Sequence, residues 1–329
     1  SKDYKNISLA LANASRVLPF VTLVHGVSAS NNSYWPEIYQ NMSIVKKDPW
    51  LPYSYDLHQY SRFGMATSCD PQLIMSPKNV ANYLYKKKSI NRYSPLSMIV
   101  WLYKFSKDAK KNILKVKSKN YKKNKSIFLR IYIDTIIQSA IGKFFTYKFK
   151  SSILWEYYLL TKCKKVGNKA ISNYVKAKNS WEEAAIISKK YYLPDLSYGP
   201  QSWLRGRWDD RLPAIVEDIN YMKKSLLQNT KIAKPLQKNI KMISLIENWN
   251  IDQNILISHI PPKYFKRGES IYLSCKLNKK NHLPAYLHYR EVNQSKKWSK
   301  KKLIKVNEDY KSVISLSLIH ISEPTRRRT

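Results

Sequence analysis

Acidic residues, glycines and cysteines are all scarce in this 329-residue sequence: 22 Asp and Glu stand against 59 Lys and Arg, with 7 Gly and 3 Cys. With so few glycines there is no G-x-G-x-x-G or P-loop pattern, so a dinucleotide-binding or kinase-like reading has no support and no cofactor is expected. Cys69, Cys163 and Cys275 lie far apart without metal-ligand spacing, which argues against a disulfide framework and against a metal centre. No apolar run approaches the ~18 residues of a membrane span, so none is expected.

What is abundant is lysine. The formal net charge is +37. Such an excess ordinarily points to a polyanion. Before position 326, however, there are 47 Lys and 9 Arg, and Arg is the residue that reads bases and phosphates by its fork. The accompanying wealth of Asn, Ile and Tyr matches codons rich in A and T. The charge is therefore read mostly as a solvated surface, and no specific nucleic-acid partner is expected. With 43% hydrophobic and 13% aromatic residues, the chain can build sizeable cores.

The two ends read as boundaries of a fragment. Residue 1 is Ser, and LSLIHISEPTR at 316–326 matches the translation of a transposon-end adapter used in DNA libraries. The expectation is an internal piece of a longer protein, with 316–329 excluded from the fold. A periplasmic or extracellular location is left open, as is the oligomeric state.

Along the chain, RVLPFVTLV at 16–24 is expected to form a buried β-strand. The polar, aromatic and proline-rich stretch that follows is too long for an idle connection, and long irregular loops are usually functional surfaces. Ser94 and Pro95 mark a helix start, after which Met98, Leu102, Phe105, Ala109, Ile113 and Val116 recur at helical spacing. The eight lysines between Lys110 and Lys125 read as a solvated helix end and loop. Between Asp134 and Cys163 apolar residues occupy nearly every side of the period, which predicts a central helix. After a break at KKVGNK, 164–169, Ala170, Tyr174, Ala177, Trp181 and Ala184 predict its antiparallel partner in an αα-hairpin. Another helix is expected after Asp209 and Asp210, and a further apolar segment at 240–249.

Beyond Asp252 the period changes from 3.6 to 2. Strands are expected at 255–260, 270–277, 285–292 and 298–306, in the manner of a fibronectin or immunoglobulin-like β-sandwich that is cut short. His288, Tyr289, Arg290 and Glu291 alternate across such a strand and are assigned to the sheet.

Two clusters carry chemistry. The first is His25, Asn31, Asn32, Trp35 and Glu37, with Asp56 and His58 as further members of the same surface. A carboxylic acid among aromatic residues suits a general acid, so Glu37 is the catalytic candidate and the others are substrate-binding candidates. Tyr34, Trp35 and Tyr39 offer flat faces to a sugar ring. The opposing reading is that Glu37 sits on a surface turn, because glycoside hydrolysis uses paired carboxylates and only one is evident. The second cluster is Trp203, Arg205, Arg207, Trp208 and Asp209, followed by Asp210 and Arg211. Forked Arg–carboxylate pairs and cation–π stacking give it a structural role, locking a loop onto the hairpin.

The stretches YWPEIYQNM, YDLHQYSRFGMATSCDP, SYGPQSWLRGRWDDRLPAIVEDI and LHYREVNQSKKW together resemble a family of large, poorly characterised bacterial proteins similar to glycoside hydrolases. The resemblance spans most of residues 9–310. It implies a mainly α chain with a C-terminal all-β part: a β/α-barrel remnant at 1–93, a helical domain at 94–250 and a truncated β-sandwich at 251–315. It also implies a glycan or polysaccharide partner, without identifying an active residue. The alternative is a non-catalytic helical and sandwich module that scaffolds or binds a polymer.

Overall fold

The structure is a computed structural model. It describes residues 2–24, 42–46, 62–65, 68, 70–88, 90, 92–116, 124–197, 205–228, 237–250, 257–264, 269–277, 284–290 and 295–315. The chain is mostly helical, with a small region of antiparallel sheet, and divides into two compact units, 1–250 and 251–329.

The first unit is built around one long helical hairpin. Its described helices are α1 (Lys2–Ala14), α2 (Val17–Val24), α3 (Pro77–Tyr85), α4 (Pro95–Leu114), α5 (Lys125–Thr161), α6 (Lys164–Tyr191), α7 (Leu212–Gln228) and α8 (Gln237–Glu247). Helix α5 has 37 residues, roughly 55 Å at 1.5 Å per residue. It is buried on nearly every side, as Phe144, Phe145, Phe149, Ile153, Trp155 and Tyr157 show. Helix α6 runs back against it, with Ala170, Ala177 and Ala184 fully buried in a seven-residue stripe and Tyr174 and Trp181 filling the gaps between. Small side chains let the backbones approach and large ones interlock, so the pair packs as a hairpin.

The break expected at 164–169 is shorter and lies earlier. Only Lys162 and Cys163 separate the helices, Lys162 adopts a left-handed φ of 54°, and 164–169 is already helix. Helix α4 begins with Ser94 and Pro95 as the sequence suggests, although the Ser94 hydroxyl makes no capping bond. At the start of α3, Ser76 Oγ does cap, accepting from Asn79 N at 3.2 Å.

The expected strand at 16–24 is a helix. Val17, Val21 and Val24 fall on one face at helical spacing and enter the core beside α4, with Phe20 edge-on to Trp101 and Phe105. Eight apolar residues fit either period, and packing against helices decided the outcome. The expectation of no long apolar run is also corrected. The Asp3–Val24 stretch is long and apolar enough, by length and composition, to cross a membrane, and 28% of its most apolar window is buried here.

In the second unit, β3 (Ile257–His259), β4 (Ile271–Leu277), β8 (Asp309–Ile314) and β7 (Ile304–Val306) form one antiparallel sheet in that order. Strands β5 (Tyr286–Tyr289) and β6 (Ser299–Lys302) form a separate pair. The single strand expected at 298–306 is broken at Leu303, whose N–H donates to Ala285 O at 2.9 Å before the chain moves from one sheet to the other. Strand β8 was not anticipated. It is paired to β7 across Asn307 and Glu308, and the positive φ of Asn307, 58°, suits such a tight turn.

Candidate functional site

His25, Asn31, Asn32, Trp35, Glu37, Asp56 and His58 lie outside the described residues, as do Trp203 and the 316–329 tail. What the structure does describe is the base to which part of this loop region is attached. Residues 42–46 and 62–65 sit on the hairpin and are stitched to each other, with Phe63 N donating to Ser43 O at 2.8 Å and Arg62 Nη1 to Ile44 O at 3.2 Å.

Four buried charges hold this base. Arg62 donates to both oxygens of Glu156 on α5, at 2.9 Å for the Nη2–Oε2 contact, and both side chains are at least nine-tenths buried. Burial pushes the Glu156 carboxyl up, against the opposing pull of Arg62. Lys148, fully buried about two turns earlier on α5, donates to Met42 O at 2.8 Å. Its ammonium lies 4.6 Å from the Phe63 ring centroid and 5.4 Å from those of Phe144 and Tyr174. Asp218 on α7 accepts from Ser43 Oγ and from Ile44 N, the latter at 2.9 Å. Gly64 matters because a Cβ there would stand 2.5 Å from Glu156 Oε1 and 2.7 Å from Ser152 Oγ.

Sequence reasoning missed all of these anchors. The available signal was a lysine and a glutamate among the apolar residues that occupy nearly every side of this helix; burial of a charge is tolerated only when it is paired.

The arginine and tryptophan cluster is brought together in part. Strands β1 (Leu196–Ser197) and β2 (Arg205–Gly206) form a short antiparallel ribbon. Arg205 clasps Asp195 across it at 2.6–2.9 Å, in the open, and this bond holds the Asp195 carboxyl below its ordinary range. Gly206, at φ 139°, leads into a 3₁₀ turn, Trp208–Arg211. There Asp210 Oδ2 accepts from Arg207 N at 2.6 Å and Asp209 Oδ2 from Arg207 Nη2 at 3.0 Å. Trp181 Nε1 on α6 donates to Trp208 O at 2.6 Å, and the Trp208 ring meets Tyr192 edge-on at 5.3 Å. The Tyr192 hydroxyl in turn donates to Asp134 on α5. Burial, then the bond to Asp134, pushes the phenol up to about 12, so it stays protonated and donating. Among the described residues, no group of three His, Cys, Asp or Glu is placed to hold a metal ion.

No protein-family model matches the chain, and no curated protein matches it. Among solved structures it is similar to a GH138 enzyme targeting pectin rhamnogalacturonan II, with a TM-score of 0.55 and 18% sequence identity. The match covers 69% of this chain and 32% of that one, so the chain spans about a third of that enzyme's length. At this identity the likeness is one of fold.

Proposed function

We propose that this chain is part of a carbohydrate-active, glycoside-hydrolase-like protein that hydrolyses or binds a glycan. The observation that carries the reading is the fold likeness over 69% of the chain to a glycoside hydrolase. In this reading residues 1–93 belong to a β/α-barrel-like region, 94–250 to a helical domain and the strands beyond 251 to a fibronectin or immunoglobulin-like sandwich. Glu37 is the general acid, and His25, Asn31, Asn32, Trp35, Asp56 and His58 contact substrate. The buried bonds that fix 42–46 and 62–65 to the helices support the reading, since a site must be carried on rigid supports to hold its geometry.

Turnover of a panel of oligosaccharides is to be compared between a protein carrying this whole chain and its Glu37→Gln variant. The expected loss is at least ~100-fold, the low end for removal of a general acid, with folding intact. Equal rates would remove Glu37 from the mechanism. A second reading, a non-catalytic module that binds or scaffolds a polymer, is favoured by the engagement of Glu156, Asp218, Asp195 and Asp209 in internal bonds. It gains if glycans bind but none is turned over.

A further inference from the structure

Strands β5 and β6 form an antiparallel ribbon in which Tyr286 stands opposite Lys302, Leu287 opposite Lys301, His288 opposite Lys300 and Tyr289 opposite Ser299. Side chains alternate between the two faces of such a ribbon, so every second pair shares a face. One face therefore carries Tyr286, His288, Lys300 and Lys302, and all four are exposed. On the other face Leu287, Tyr289 and Ser299 are half-buried. By the same alternation Arg290 and Trp298 follow on the exposed face, and there they meet, with the guanidinium 4.9 Å from the ring centroid. Three successive rungs, roughly 7 Å apart at ~3.4 Å per residue, thus set a cation beside an aromatic or imidazole ring. No carboxylate stands among them.

The cations are held in place without being neutralised. Lys300 Nζ lies 3.8 Å from the centroid of the Tyr286 ring, one rung away across the ribbon. A ring quadrupole positions an ammonium but leaves its charge intact. Neither Lys300 nor Lys302 forms an ion pair among the described residues, and Asp309 turns instead to Lys276 in the other sheet, at 3.9 Å. Where the chain passes from the ribbon to that sheet, Lys302 also lines a cleft of about 410 Å³, together with Lys305, Pro284, Leu303, Ile304 and Tyr310. Its size is in the range of small-molecule sites.

We propose that this face of the ribbon, with the cleft at its end, binds a carboxylated polysaccharide. Sugar carboxylates meet Lys300, Lys302 and Lys305, and sugar hydroxyls bond to the Tyr286 hydroxyl and the His288 ring. The proposal rests on the glycan reading above and adds to it the charge of the glycan and a place for it in the second unit. Local chemistry selects the ligand. A neutral glycan would gain nothing from a row of uncompensated cations. A single nucleic-acid strand lays its bases on bare aromatic rings, and its phosphates suit arginine forks. Here the Tyr286 and Trp298 rings already carry cations over their faces, and Arg290 is the cation engaged on Trp298. The accessible charges left are lysines, compact point charges that need no forked partner. A polymer with carboxylates at intervals and hydroxyls between them matches both kinds of group on this face.

The test uses the whole chain and measures affinity by isothermal titration for three probes: alginate, a polyuronate; the same polymer with its carboxyl groups reduced to alcohols; and oligo(dT), a single-stranded nucleic acid. Two double variants remove the same charge from different places. One is Lys300→Gln with Lys302→Gln on the ribbon, and the other is Lys276→Gln with Lys311→Gln, both exposed on the other sheet. Circular dichroism and thermal unfolding establish that both are folded. Alginate is expected to bind, to weaken with added salt, and to lose at least ~5-fold in affinity in the ribbon variant against less than ~2-fold in the other. The reduced polymer is expected not to bind. An equal loss in the two variants overturns the ribbon as the site, since net charge alone would then account for binding. Tighter binding of oligo(dT) than of alginate, or equal binding of the reduced polymer, overturns the choice of ligand. Absence of alginate binding overturns the proposal alone if neutral oligosaccharides are bound or turned over, and overturns the glycan reading with it if none is.

Discussion

Replacing Arg62 by Met removes the positive partner of Glu156 and leaves a carboxylate enclosed by α5 and the 62–65 turn. Breaking a buried ion pair from one side costs about 3–5 kcal/mol, because the remaining charge is neither solvated nor compensated. The hydrogen bond from Arg62 to Ile44 O is lost as well, worth about 1 kcal/mol. Against a total stability on the order of 5–15 kcal/mol this is a large fraction. The cost depends on pH in a definite direction. In the native protein burial already pushes the Glu156 carboxyl up and Arg62 pulls it down; without Arg62 it rises further. A carboxyl with a raised native pKa binds its proton more tightly when folded, so the variant is most stable below the unfolded value and loses stability as pH climbs. Lowering the pH from 8 to 5 therefore returns part of the loss. Urea unfolding followed by fluorescence, to which the buried Trp155 and Trp181 contribute, measures this at both pH values. The double variant Arg62→Met with Glu156→Leu is expected to recover all but about 1 kcal/mol, the share of the Ile44 bond. A penalty under ~1 kcal/mol at pH 8, or one that grows as the pH falls, would refute the assignment of this pair as a buried anchor.

Further outcomes follow from the same contacts. Gly64→Ala should cost about 1–3 kcal/mol in the same assay, because its Cβ must displace Glu156 or Ser152, and a neutral result would mean that the 62–65 turn is free to lift. Trp208→Ala should cost about 2–4 kcal/mol through its packing on Tyr192, with ligand binding affected only secondarily. Unchanged stability with binding lost would turn that cluster from a structural into a ligand-contacting one. In Tyr192→Phe the stability deficit should be constant below about pH 10 and shrink as the pH rises towards 12. The raised phenol of the folded protein contributes only while the hydroxyl keeps its proton, and a deficit that widens with pH would contradict the Asp134 bond.

Much of the helical unit was legible in the sequence, for a physical reason. Where apolar residues repeat every three to four positions over many turns, as in Met98 to Val116 or Ala170 to Ala184, only a helix can bury them together, and α4 and α6 are there. Pro95, where a helix start has no use for an N–H, marked one of the starts. The alternation after Asp252 likewise announced strands. What local pattern could not decide was settled by neighbours. Val17–Val24 is eight residues of apolar chain that would serve as strand or helix, and it is a helix because α4 and α5 offer a helical groove, not a sheet edge. The stretch 298–306 reads as one strand, yet its two halves find different partners, and Leu303 bonds elsewhere. The charges inside α5 are the clearest case. In the sequence Lys148 and Glu156 are two polar letters in an apolar run. Only the tertiary structure supplies Met42 O and the rings of Phe63 and Tyr174 to one and Arg62 to the other, the direct hydrogen bonds coming from chain 106 and 94 residues away along the sequence. A one-dimensional pattern records which faces are apolar, but a buried charge is stable only through the partner it meets, and that meeting exists only once the chain has folded.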